Sequence, residues 1–189
     1  MARPLSPQKH AALIEAAVST VAECGLSATT ASIAKRAKVA VGTLFTYFPT
    51  KEQLLNEVYL TLKQNMAAVL VTDYPKEADF RSQIMHVWRC YTEWSLVNPQ
   101  GKRVLRLLAV SDLLSAETLA STPEALSLAD KMFDDAIEQS LFVTDSKAFI
   151  YAVIQNISDA TSEQIAQRPE QKEALLQLGF RMMWKAITV

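Results

Sequence analysis

The chemistry of this sequence concentrates in VAVGTLFTYFPTKEQL, residues 39 to 54. On a helix, Gly42, Thr43, Thr46 and Tyr47 share one arc. Leu44 and Phe48 fall opposite, with Phe45 at their margin and Val41 ambiguous at the start. The first arc offers an outside partner a bare backbone, two hydroxyls and a phenol. Such groups bond phosphate oxygens and base edges, or let a backbone enter a groove. A helix made only for packing would not centre on Gly, Thr, Phe and Tyr, which are mediocre or poor helix formers. Pro49 ends the helix. Thr50-Lys51-Glu52-Gln53 then reads as a capping box opening the next one. Its free amides, positive dipole end and Lys51 ammonium together suit a phosphate.

Two elements must hold this stretch in place. Ser6 and Pro7 start a first helix with the apolar stripe Leu13, Ile14, Ala17, Val18 and Val21, which should stop at Gly25. After a loop, Thr30 can cap a short second helix, with Ile33, Ala34 and Ala37 inward and Lys35 and Arg36 outward. A turn at Lys38 and Val39 leads to the third, roughly 41–47. Two short helices joined by a tight turn, the second polar on its outer face, describe a helix-turn-helix. Charge agrees: residues 1–51 hold six basic and two acidic residues, net +4, whereas the whole chain carries −1. A basic end on an acidic body suits a polyanion. A solvated helix face would give the same count.

The remainder of the 189 residues reads as all-α, long enough for a substantial core. The pattern predicts a long helix from residue 51, then helices over about 77–98, 103–110, 116–121, 122–142, 146–167 and 169–187, with a turn at Asn98-Pro99-Gln100-Gly101 and a cap at Thr122 before Pro123. Cys24 and Cys90 lie in apolar helical patterns and read as buried reduced thiols of a cytoplasmic protein. No apolar run approaches the ~18 residues of a membrane span. Two scattered histidines make no metal site, four glycines leave no phosphate-cradling loop, and no nucleophile elbow occurs, so neither catalysis nor a cofactor is expected.

Residues 27–55, SATTASIAKRAKVAVGTLFTYFPTKEQLL, resemble the DNA-binding signature of the TetR family of bacterial transcriptional regulators. The match rests on Thr30, Ile33-Ala34 and the run Gly42 to Phe48 followed by Lys51 and Leu54. The opening MARP, LAVSDLLSAETL and LGFRMMWKAIT are similar to the RamR-type, multidrug-responsive branch. The resemblance implies a helix-turn-helix head, residues 1–51, and a helical ligand-binding and dimerisation body, residues 52–189, with about nine to ten helices. It implies a homodimer through the last two helices, a palindromic DNA operator and a small aromatic or cationic effector, most simply as a repressor.

Carried onto this chain, the DNA-binding set is Arg3, Thr30, Lys38, Val41, Gly42, Thr43, Thr46, Tyr47, Thr50 and Lys51. Thr30 and Thr50 also read as plain caps, and Gly42 as a close-packing position. The chain departs from the family pattern at Lys38, where glycine is usual, at Ala40 in place of a serine cap, and at Phe45 in place of tyrosine. The effector set is Tyr59, Leu62, Met66, Trp88, Tyr91, Phe133, Ile137, Tyr151 and Ile154, with Trp94 at its flank. An aromatic stripe of this kind is equally a hydrophobic core. Ile150, Val153, Ile157 and Ile165, then Leu175, Leu178, Met182 and Ile187, offer a self-complementary face, or part of the monomer core. The alternative function is a DNA-binding helical dimer gated by a protein partner, without a small-molecule ligand.

Overall fold

The computed structural model describes residues 5–121 and 124–189. Arg3 and the expected cap at Thr122 and Pro123 lie outside the described residues. The described residues form ten α-helices: α1 (Pro7–Cys24), α2 (Thr30–Arg36), α3 (Val41–Tyr47), α4 (Lys51–Val71), α5 (Phe80–Val97), α6 (Pro99–Ala109), α7 (Ala116–Ala120), α8 (Glu124–Glu138), α9 (Lys147–Gln167) and α10 (Lys172–Ile187). The all-α expectation holds. Extended pairing among the described residues is confined to an isolated bridge between Phe142 and Thr188.

The helices group into two packing units. The first comprises residues 1–64 and 98–122, and the second 65–97 and 123–189. These units cut the chain differently from a division at residue 51, because α6 and α7 pack with the amino-terminal helices.

In the first unit, the Ser6 hydroxyl accepts from the Lys9 amide at 3.4 Å and Gly25 closes α1 at φ 67°. A 3-10 turn over Gly25–Ser27 replaces the expected loop. α2 corrects one residue of the sequence reading: Thr29 is its cap, in a reciprocal box with Ser32, and Thr30 is the first helical residue. The cap needs extended backbone, which Thr29 supplies at ψ 151°. Asn98-Pro99 starts α6 rather than a turn, because proline's missing N–H costs nothing at a first helical position. The core is aliphatic: Leu13, Ala17, Val21, Ile33, Ala34, Leu44, Leu54, Leu55 and Val58 are sealed from solvent.

The second unit is aromatic. Trp88, Phe133, Phe142 and Phe180 form its centre, with Phe80, Tyr151 and Trp184 packed around them. α5 turns Ile84, Trp88, Thr92, Trp94 and Ser95 inward, so Trp94 replaces Tyr91 on the buried face. α10 approaches closely at Gly179: a Cβ there would lie 2.2 Å from the Thr161 hydroxyl and 2.9 Å from the Trp88 ring. Two sequence expectations are corrected here. Ile150, Ile165 and Ile187 are buried in this unit's own packing, which leaves Leu178 and Met182 as the exposed members of the last-helix series. Cys24 is exposed and Cys90 half-buried, because Cys24 ends α1 on its outer side.

Candidate nucleic-acid interface

Helix α3 has seven residues and two unlike faces. Leu44 and Phe48 are buried at 0% and 5% exposure, while Val41 and Phe45 stand 40% and 43% exposed. Gly42 and Thr46 are exposed beside them, and Thr43 and Tyr47 are half-buried. A Cβ built on Gly42 meets nothing within 4 Å, so internal packing does not require glycine there. Phe45 belongs to the outward face, contrary to its placement at the margin of the packing arc. A seven-residue helix rotates little, and its ends are fixed by Ala40 and Phe48 rather than by the apolar pattern. Thr46 returns its hydroxyl to the Gly42 carbonyl at 2.9 Å, which presents its methyl outward.

The turn before α3 shows the two expected departures. Lys38 adopts φ 55°, the left-handed region glycine occupies most easily. Ala40 caps α3 with no side-chain hydrogen bond. Lys35 and Lys38 are exposed and make no ion pair among the described residues. Arg36 is committed elsewhere, in a two-point pair with Glu23 whose first contact is 2.8 Å. That guanidinium holds the Glu23 carboxyl below its ordinary range.

Tyr47 and Lys51 both have partners inside the chain. The Ser6 amide donates to the Tyr47 oxygen at 2.8 Å, and the phenol donates to the Ser6 carbonyl at 3.3 Å. Lys51 donates to the Leu26 carbonyl at 2.7 Å, closing the 3-10 turn over the start of α4. Each therefore positions an element of the head as well as offering a polar group to an anion. Thr50 accepts from the Gln53 amide at 3.2 Å, half of the expected capping box. The Glu52 carboxyl is held below its usual range by hydrogen bonds from its own backbone and from Thr50. An anion at the α4 amino end thus meets amides partly satisfied by Thr50 and a carboxylate beside Lys51.

Sequence reasoning missed Asn56. Its amide donates to the Glu52 and Leu113 carbonyls at 2.7 and 2.9 Å, and its oxygen accepts from the Ser115 amide at 2.9 Å. One side chain thereby ties α4 to the segment joining α6 and α7. Its only sequence signal was an amide on the polar side of a helix. The partners are backbone groups 57 and 59 residues away, which no spacing reveals.

Of the effector set, Tyr59 and Leu62 belong to the first unit, Leu62 in its core and Tyr59 half-buried against it, where burial raises its phenol pKa. Met66 is buried in the second unit. Trp88, Phe133, Ile137, Tyr151 and Ile154 meet in one aromatic cluster, to which Tyr91 does not contribute. Trp88 is 1% exposed and donates its indole N–H to the Leu176 carbonyl at 3.3 Å. Phe133 lies 4.8 Å from the Tyr151 ring and 5.6 Å from Phe142. The Tyr151 hydroxyl donates to Asp130 at 2.8 Å, and burial with that carboxylate drives its pKa upward. No three His, Cys, Asp or Glu among the described residues are placed to hold a metal ion. No described helix is long and apolar enough to cross a membrane.

Residues 13–58 match the family model for bacterial regulatory proteins of the tetR family. An uncharacterized HTH-type transcriptional regulator of Bacillus subtilis, YhgD, is 36% identical over 63 residues. That likeness spans 33% of this chain and 33% of the relative. Two solved structures show the same fold over nearly the whole chain. One, a TetR family transcription regulator from Marinobacter aquaeolei VT8, superposes with a TM-score of 0.83 at 22% identity, covering 96% of each chain. The other, from Shewanella sp. PV-4 and assigned to the same family, gives 0.80 at 23% identity over 96% of this chain and 98% of its own. Residues 13–58 are thus similar to the helix-turn-helix domain of tetR-family regulatory proteins, and the chain shares the fold of the two solved structures.

Proposed function

We propose that this protein is a transcriptional regulator of the RamR-like, multidrug-responsive kind, a cytoplasmic repressor that binds a palindromic operator as a dimer. The observation that carries the reading is the outward face of α3. A glycine with open space above it, two exposed apolar side chains and a threonine methyl stand beside unpaired Lys35 and Lys38. Apolar groups left exposed on a helix this short are suited to thymine methyls and sugars, while the flanking ammonium groups are suited to phosphates. Val41, Gly42, Phe45 and Thr46 are the proposed readers. Thr30, Lys38, Thr43, Tyr47, Thr50 and Lys51 are the proposed clamp, with Arg3 added from the arm. Exposed Leu178 and Met182 on α10 support association through the last two helices. The effector role stays with Tyr59 and the aromatic set around Trp88, on the strength of their stacking chemistry.

The test is DNA-binding anisotropy across a salt series, using the DNA upstream of its own gene and a random duplex. Lys51→Ala is expected to weaken both and to reduce the salt slope by about one. Thr46→Ala is expected to change the preference between them. Equal losses on both duplexes for Thr46→Ala would remove it from the readers. Because Lys51 also holds the Leu26 carbonyl, the Lys51 variant is read against its own melting curve, and an unchanged salt slope would leave it a structural residue only. A discrete shift that no aromatic cation releases would favour gating by a protein partner.

A further inference from the structure

The head contains a cleft that the DNA-binding reading does not use. Its volume is roughly 670 Å³, and it opens where the end of α3, the first turns of α4 and the segment leading into α7 meet, all within the first unit. That volume lies within the range that holds a drug-sized molecule. One wall is aromatic. Phe48 is buried beneath it, with the His10 ring 5.1 Å from Phe48 and 6.3 Å from Tyr47, every pair tilted rather than stacked. Leu60 and Leu114 extend the apolar surface.

Set among neutral polar residues, the charged side chains of the lining are all carboxylates. Glu52 and Glu57 lie on α4, Asp112 on the segment between α6 and α7 and Glu117 on α7, with no lysine or arginine among the described lining residues. None of the four forms an ion pair with a described residue. Four like charges around one concavity lower the potential inside it and raise the local concentration of cations. They arise from three separate segments and do not converge on a metal-binding geometry. A cation with its charge carried on an extended body meets this lining better than a metal ion does. The half-buried His10 and Tyr47 rings, backed by Phe48, supply the surface for a flat apolar group.

We infer that the head carries its own binding site, between α3, α4 and α7, for an organic cation bearing a flat aromatic group. This site shares no lining residue with the effector set. Tyr47 belongs both to its wall and to the proposed phosphate clamp, so occupancy is linked to DNA binding by the same coupling in both directions. That linkage rests on the DNA-binding reading. The site itself does not.

The test therefore uses no DNA. Calorimetric titration of the full chain with (1-naphthylmethyl)trimethylammonium is compared with 1-naphthylmethanol, which keeps the ring and drops the charge. The cation is expected to bind at least ~tenfold more tightly, through several exposed ion contacts of modest individual strength. Glu57→Gln combined with Glu117→Gln is expected to erase about tenfold of the cation's affinity and none of the alcohol's. Asp112→Asn, in the segment between α6 and α7, provides a second variant should the first alter the melting curve. Glu77→Gln, an exposed carboxylate of the second unit outside both residue sets, is expected to change nothing. Equal affinity for cation and alcohol overturns the proposal, as does a double variant that binds like the parent. Loss of cation binding in Glu77→Gln would also overturn it.

Discussion

The two packing units differ in what fills them. The first is closed by small aliphatic residues, with Phe48 its single buried aromatic ring. The second is built on Trp88, Phe133, Phe142 and Phe180 and carries a buried Thr92–Ser158 hydroxyl pair at 3.0 Å. Aliphatic side chains on short helices let helix axes come close. Large rings bury more area per residue and pack by their edges, so a few of them dominate a unit. The head is therefore specified by many small contacts and the body by a few large ones. Damage should follow the same division.

The largest expected effect is Trp88→Ala, which removes the largest fully buried side chain and its hydrogen bond to the Leu176 carbonyl; about 3–5 kcal/mol should be lost in urea unfolding. Should Leu44→Ala in the head cost more than this, the contrast between the units would be wrong. Next comes Gly179→Ala. The added carbon falls on the Thr161 hydroxyl and the Trp88 ring, and overpacking of this kind costs about 1–3 kcal/mol. Full stability in that variant would show that α10 can slide away from α9. In the head the comparison sharpens in the opposite direction. Ala40→Ser supplies the missing α3 cap and should add ~1 kcal/mol, measured by thermal melting. No gain would mean that the turn at Lys38 holds the α3 amides out of reach.

The smallest effect concerns a surface pair of the body. Arg89 contacts Glu173 at 2.9 and 2.5 Å, and this guanidinium, with help from Gln177, holds the Glu173 carboxyl at about 2, below its ordinary 4.5. A depressed carboxyl contributes stability that is complete above its unfolded pKa and disappears as pH falls through its folded one. Glu173→Gln should therefore lie below the parent in stability near neutral pH and converge with it between about pH 5 and 2. Because Glu173 is exposed, the gap should also shrink with salt. A pH-independent gap would assign the effect to packing of the α10 amino end.

Legibility followed the distance between partners. α3 was placed over 41–47 because its two faces and the terminating Pro49 are written within nine residues. Gly25 was read as the stop of α1 for the same reason, whereas the positive φ of Lys38 was signalled only by the family resemblance, which has glycine there. Thr30 and Thr29 were confused because either threonine can cap, and only the backbone bend decides which does. The start of α6 was missed because Asn-Pro-Gln-Gly suits a turn and a helix start alike.

By itself the sequence determined the all-α class, the helix-turn-helix, its charge, and the outward placement of Gly42 and Thr46 against the buried Leu44 and Phe48 on α3. These rest on periodicity, capping and propensity, which act within one or two helical turns. Tertiary structure alone decided that Ile150, Ile165 and Ile187 serve the monomer's core, that Phe45 is exposed, and that Tyr47, Lys51 and Asn56 bind backbone groups 41, 25 and 57 residues away. It also decided that carboxylates from α4, the α6–α7 segment and α7 surround one cleft. Each of those outcomes depends on which helix faces approach each other, and burial energy is indifferent to sequence order.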